Sequence, residues 1–147
     1  MKLNDNMQKL CCFYASDWHL TVMLLPYINK KLNENCKIYF KSEFNIDDKI
    51  NILLNKLQLR NSDKIRNINN RNIVEEDDEL TEKIFIFSGK DEFIKEKNNL
   101  VENFYRNKNC KVKIINCYEF KEENDIQDII IKNNYTVKLN TKGETNI

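Results

Sequence analysis

The chain of 147 residues carries one histidine and one tryptophan, and they are neighbours. They stand in Ser16-Asp17-Trp18-His19, directly after the apolar run LCCFYA at 10–15. A second segment, Ser88-Gly89-Lys90, follows the apolar run KIFIF at 83–87 and holds one of only two glycines. Ser42-Glu43 and Cys117-Tyr118-Glu119 follow two further apolar runs. An imidazole exchanges a proton near neutral pH. An indole stacks on a flat ligand, and the free amides of a helix N-terminus, with an ammonium beside them, hold a carboxylate or phosphate. Ser16, Asp17, Trp18, His19, Ser88, Gly89, Lys90 and Tyr118 are therefore expected to form a ligand-binding edge. A plainer reading stands beside it: Ser88 and Asp91 form a capping box, Lys90 is solvated, and Trp18 and His19 pack on a neighbouring loop.

Other combinations carry less chemistry. The five cysteines, Cys11, Cys12, Cys36, Cys110 and Cys117, are odd in number and contain no C-x-x-C. Cys11 and Cys12 fall in a predicted strand, so they point to opposite faces and cannot share one ligand. With a single histidine and no ligand spacing among the thiols, no metal site is expected. A Cys–His nucleophile needs a thiol near His19; Cys117 is the candidate, and strand packing is its preferred role. Asp47-Asp48 suit a first helical turn. Glu75-Glu76-Asp77-Asp78-Glu79 reads as a solvated run. Neither acidic group has a histidine or lysine in register for acid–base work. Arg60, Lys64, Arg66 and Arg71 lack interleaved aromatics and make a poor nucleic-acid footprint. Gly89 and Gly143 are too few for a G-x-G-x-x-G fingerprint or a Walker A loop. No cofactor is expected.

The elements that would position these residues follow from periodicity. Residues 10–15 read as a buried strand. Ser16 caps a helix over 17–33, with Leu20, Met23, Leu24, Tyr27, Ile28 and Leu32 on one face. Pro26 lies inside it and predicts a kink. KIYFK at 37–41 is the second strand. Asn45, with Asp48, caps a helix bearing Ile46, Ile50, Leu53, Leu54 and Leu57. Residues 64–69 read as a weak strand and 75–82 as one or two helical turns. Residues 83–87 form a strand, and a helix then runs to Arg106 with Phe93, Ile94, Leu100, Val101, Phe104 and Tyr105 as its stripe. KVKII at 111–115 is the next strand. Asn124 with Gln127 caps a last helix carrying Ile126, Ile129 and Ile130. Residues 135–139 read as an edge strand.

This alternation predicts a single three-layer α/β domain over 1–139, a mainly parallel sheet of about five strands flanked by helices. Residues 140–147 are expected as a flexible tail. In open α/β sheets the ligand crevice lies at the carboxyl ends of the strands, where strand order reverses. If the 10–15 and 83–87 strands are neighbours, the 16–19 and 88–90 loops face each other across it.

Cys12-Phe13-Tyr14-Ala15-Ser16, then Leu20, Leu24, Pro26-Tyr27-Ile28 and Leu32, then Lys37-Ile38-Tyr39-Phe40, resemble the opening of MEDS-type sensory domains. Those domains begin with a strand ending in Phe-Tyr, continue with a helix carrying a central Pro-aromatic pair, and enter a strand rich in Val, Ile and Tyr. The resemblance covers about the first 60 residues. It implies a RecA/KaiC-related α/β fold without a P-loop and a ligand-sensing role.

Composition narrows the classes further. The chain has 24 Asn, 20 Lys and 18 Ile, all specified by AT-rich codons, so the excess reads as genomic background. The Lys and Arg total of 24 meets 23 acids, so no global field steers the chain to nucleic acid or a membrane. No apolar run approaches the ~18 residues that cross a bilayer, and the N-terminus lacks a signal-peptide core. A cytoplasmic sensory or regulatory domain is expected, acting by binding a small ligand or a protein partner rather than by catalysis. Two alternatives stand: a protein-binding inhibitor or adaptor, for instance from a mobile element, and an enzyme acting on a nucleotide or acyl substrate. An open polar crevice containing His19 favours ligand or enzyme. A closed crevice with an exposed patch from Phe44, Tyr105 or Phe120 favours a partner.

Overall fold

Alternating side chains make β1 (Met7–Tyr14) the divider of two cores: Cys11 packs on one side of the sheet and Cys12 on the other. The computed structural model describes residues 6–66, 68 and 80–147. In chain order the other elements are α1 (Asp17–Asn33), β2 (Lys37–Ser42), α2 (Asp47–Leu57), α3 (Ser62–Arg66), β3 (Lys83–Ser88), α4 (Asp91–Tyr105), β4 (Val112–Glu119), α5 (Glu123–Asn133), β5 (Val137–Asn140) and β6 (Gly143–Asn146). The sheet runs β2-β3-β4-β1-β5-β6. Every neighbouring pair is parallel except β5 and β6. This is the expected three-layer α/β domain, with six strands among the described residues. Its order is neither the Rossmann 3-2-1-4-5-6 nor the flavodoxin-like 2-1-3-4-5.

The two faces differ in chemistry. α1, α2 and α3 cover an aliphatic core that includes Leu10, Leu24, Ile38, Leu54, Ile65, Ile84 and Ile115. α4 and α5 cover an aromatic one built around Tyr39, Phe85, Phe87, Tyr105, Tyr118 and Tyr135. β3 is buried along its whole length, as an interior parallel strand covered on both faces must be.

Local chemistry explains where the expectations hold and where they fail. Ser16 caps α1: its Oγ accepts from the His19 N–H at 3.2 Å. Residues 62–66 form α3 rather than a strand, and Ile65 is buried from it in the core that α1 and α2 also cover. At α2 the cap position falls on Ile46, and Asn45 Oδ1 accepts from the Asp47 N–H at 2.9 Å as a local turn; the Asn45–Asp48 box is not formed. At α5 the capping box is Glu122 with Asp125, two residues ahead of the expected Asn124–Gln127 pair. The acidic run at 75–79 lies outside the described residues.

The largest correction concerns the C-terminus. β5 is interior, between β1 and β6, and residues 140–147 complete the sheet instead of trailing from it. Gly143, at φ 100°, supplies the left-handed residue that the tight β5–β6 connection requires. Glu144 then anchors β6: its carboxylate accepts from Lys113 Nζ at 2.7 Å and Tyr27 Oη at 2.8 Å.

Candidate ligand-binding cleft

β1 connects through α1 towards β2, and β4 connects through α5 towards β5, so the chain leaves these two adjacent strands in opposite directions. A gap opens at such a point. Here it is a cleft of about 570 Å³, bordered by Tyr14, Phe44, Gly89, Lys90, Tyr118 and Ile129. Asp91, Glu119 and Asp128 also border it, against Lys90 and Lys132.

Gly89 has a specific reason to be glycine. A Cβ there would stand 2.7 Å from Glu43 Cβ and 2.8 Å from Glu43 Oε1. Glu43 is locked in place: its N–H donates to the Ser88 carbonyl at 2.7 Å, and its Oε1 accepts from the Lys90 N–H at 2.7 Å. The protein's own carboxylate thus takes the Lys90 N–H at the start of α4, where an anionic ligand was expected. Nor do Ser88 and Asp91 form a capping box. Lys90 takes the cap position without a side-chain bond, Ser88 is the last residue of β3, and its hydroxyl lies 3.1 Å from that of Tyr14. Asp91 pairs with Lys95 at 3.0 Å and Lys132 at 3.5 Å. Partial burial pushes the Asp91 carboxyl up, and these two ammonium groups outweigh it, leaving it below the ordinary range.

The expected site residues therefore divide. Gly89, Lys90 and Tyr118 border the cleft, and Ser88 supports its wall through Tyr14. Ser16, Asp17, Trp18 and His19 serve the start of α1 and do not border it. Asp17 pairs with Lys49 of α2 at 3.7 Å, and the same ammonium lies 5.8 Å from the Trp18 ring centroid. His19 Nδ1 accepts from the Ala15 N–H at 2.9 Å. The two loops are not adjacent, because β4 lies between β1 and β3. The aromatic patch does not form as drawn either: Phe44 is exposed, but Tyr105 is in the aromatic core.

Three residues beneath the cleft escaped the sequence reading. Asn98 of α4 and Asn116 of β4 exchange amide hydrogen bonds at 2.8 and 2.9 Å. Asn116 Nδ2 also donates to Tyr135 Oη at 2.9 Å, and Tyr135 Oη lies 2.8 Å from Tyr118 Oη. All four side chains are buried, and all border a smaller cavity of about 110 Å³. Asp91, Tyr118 and Asn133 border both cavities. Burial is the main force pushing both phenols above the ordinary tyrosine range, so they are O–H donors at working pH. The legible sign was Asn116 inside the apolar stretch KIINCY and Asn98 one turn after Ile94.

The thiols are free and buried. Burial pushes the Cys11 thiol up to about 12, and Cys117 rises well above its ordinary value for the same reason. Among the described residues no cluster of metal-ligating side chains occurs, and no helix is long and apolar enough to cross a membrane. No protein-family model, curated protein or solved structure matches the chain.

Proposed function

We propose that this chain is a small cytosolic sensory or regulatory domain that binds a small molecule in the strand-end cleft and acts through that contact, not by catalysis. The observation that carries the reading is the position of the cleft. It sits at the carboxyl ends of β1 and β4, at the reversal of chain direction, with a volume in the range of small-molecule sites. His19 stands outside the cleft with Nδ1 engaged by the backbone, so the cleft has no imidazole for acid–base work. Buried thiols of raised pKa point the same way and suit a reducing compartment. The resemblance to MEDS-type sensory domains implies the same role, a ligand sensor without a P-loop.

The test is a thermal-shift screen of a small-metabolite library against the wild type and Ile129→Trp, which fills the cleft. A ligand at about 100 times its Kd stabilises the fold by about 2.7 kcal/mol. At least one compound is expected to raise the wild-type Tm and to leave the variant unmoved. A library without a hit, or hits that stabilise both proteins equally, contradicts the reading.

A protein partner is the second reading. Trp18 and Val22, one turn apart on α1, are 42% and 49% exposed. A pull-down from native cells whose captured partner is lost with Trp18→Ala and Val22→Ser together supports it; capture that survives both changes argues against it.

A further inference from the structure

Counting protons in the seam below the cleft shows what a ligand must bring. Asn98 Nδ2 uses both hydrogens, on the Ile94 carbonyl and on Asn116 Oδ1. Asn116 Nδ2 uses both of its own, on Asn98 Oδ1 and on Tyr135 Oη. The two phenols carry two protons, and only one of these lies between their oxygens. The other has no acceptor among the described residues. Whichever phenol holds it is buried, since Tyr118 is 5% and Tyr135 7% exposed. No carbonyl or side chain among the described residues competes for this proton, so a ligand that brings an acceptor gains a hydrogen bond there. Both phenols border the smaller cavity, and Tyr118 borders the cleft as well.

The rim of the cleft sets the other half of the requirement. Of the three rim carboxylates Asp91 is held by Lys95 and Lys132, which leaves Glu119 and Asp128 against Lys90. Glu43 already holds the Lys90 N–H at the start of α4. A phosphate or carboxylate group entering here meets like charge and finds that backbone donor taken. A ligand with N–H donors meets acceptors instead. Tyr14 and Phe44 offer apolar surface to a flat ring.

We propose that the cleft takes an uncharged, amino-bearing nitrogen heterocycle of the nucleobase or nucleoside class. The spare phenolic proton of the Tyr118–Tyr135 pair donates to a ring nitrogen or carbonyl oxygen, and the rim carboxylates accept from the amino group. This rests on the small-ligand reading above and adds the ligand's chemical class.

The test is calorimetry of the full chain with three probes: adenosine, adenosine 5′-monophosphate, and cyclohexylamine, a cation without an acceptor. Adenosine is expected to bind at least about 10-fold more tightly than either of the others, and Tyr118→Phe is expected to weaken it about 10-fold. Equal or tighter binding of the monophosphate or of cyclohexylamine overturns the assignment of class while leaving a cleft that binds small molecules. Absence of adenosine binding overturns it too, and the library screen then decides the broader reading independently. Unchanged adenosine affinity in a folded Tyr118→Phe protein removes the phenol from the account. If that variant does not fold, the wild-type ranking of the three probes decides.

Discussion

Two polar sites lie under opposite faces of the sheet, and they end differently. On the aliphatic side, a pocket of about 420 Å³ beside the C-terminal hairpin is bordered by Lys30, Lys31, Lys113 and Lys142. Glu144 answers that charge from within the chain, on Lys113, Tyr27 and, at 4.0 Å, Lys31. On the aromatic side, the seam of Asn98, Asn116, Tyr118 and Tyr135 leaves one phenolic proton without an acceptor among the described residues. In the first site Glu144 pairs Lys113, Tyr27 and Lys31 within the chain and ties β6 to the sheet. The second keeps a hydrogen-bonding capacity that the fold does not use, and it borders the strand-end cleft. Glu43 follows the logic of the first: it holds the Lys90 N–H and makes Gly89 a packing residue.

Breaking the closed site should have the largest effect. Glu144→Ala leaves Lys113 and Tyr27 without their main partner and releases β6; a loss of about 2–3 kcal/mol in urea denaturation is expected. A loss below about 0.5 kcal/mol means that the hairpin does not depend on this carboxylate. Gly89→Ala forces a Cβ against Glu43 and Phe93, with an expected loss of about 1–3 kcal/mol. An unchanged melting curve contradicts the close packing of Glu43 on Gly89.

The open site predicts an asymmetry between its phenols. Tyr135→Phe strands the Asn116 N–H and the Tyr118 proton together, so it should cost about 1–2 kcal/mol. Tyr118→Phe leaves one unpaired proton, as in the wild type, and should cost about 0.5 kcal/mol. Equal losses, or the reverse order, break the proton count. The smallest effect concerns acid. Burial pushes Glu144 up, and Lys113 and Tyr27 outweigh it, so its folded pKa lies below the ordinary 4.5. Its contribution is fully present above that value and is lost as pH falls through the lowered one. The stability gap between wild type and Glu144→Gln should therefore narrow below about pH 4.5. A constant gap contradicts the pairing.

Periodicity carried most of the architecture. The α1 stripe, the Ser16 cap and the buried run of β3 were all legible, because local chemistry and tertiary burial agree there. Residues 62–66 misled, because a five-residue helix with one buried isoleucine forms only once α1 and α2 provide a surface to cover it. β6 was hidden because its sequence, GETN, has no apolar alternation, and its anchor is one carboxylate meeting residues far along the chain. The cleft's location was legible from the strand ends, yet five of the eight expected residues do not border it. Only strand order shows that β4 separates the 16–19 and 88–90 loops. Asn98 and Asn116 were lost to the discount that 24 asparagines invite: composition explains why an asparagine is available, and burial decides which one matters.

The most direct measurement is an amide NMR titration of the isotope-labelled chain with adenosine. Shifts are expected to be confined to residues 89–91, 118–119 and 128–135, with those around Lys113 and Glu144 unmoved. Shifts centred on the Lys113–Glu144 pocket, or none at all in the strand-end cleft, contradict this expectation.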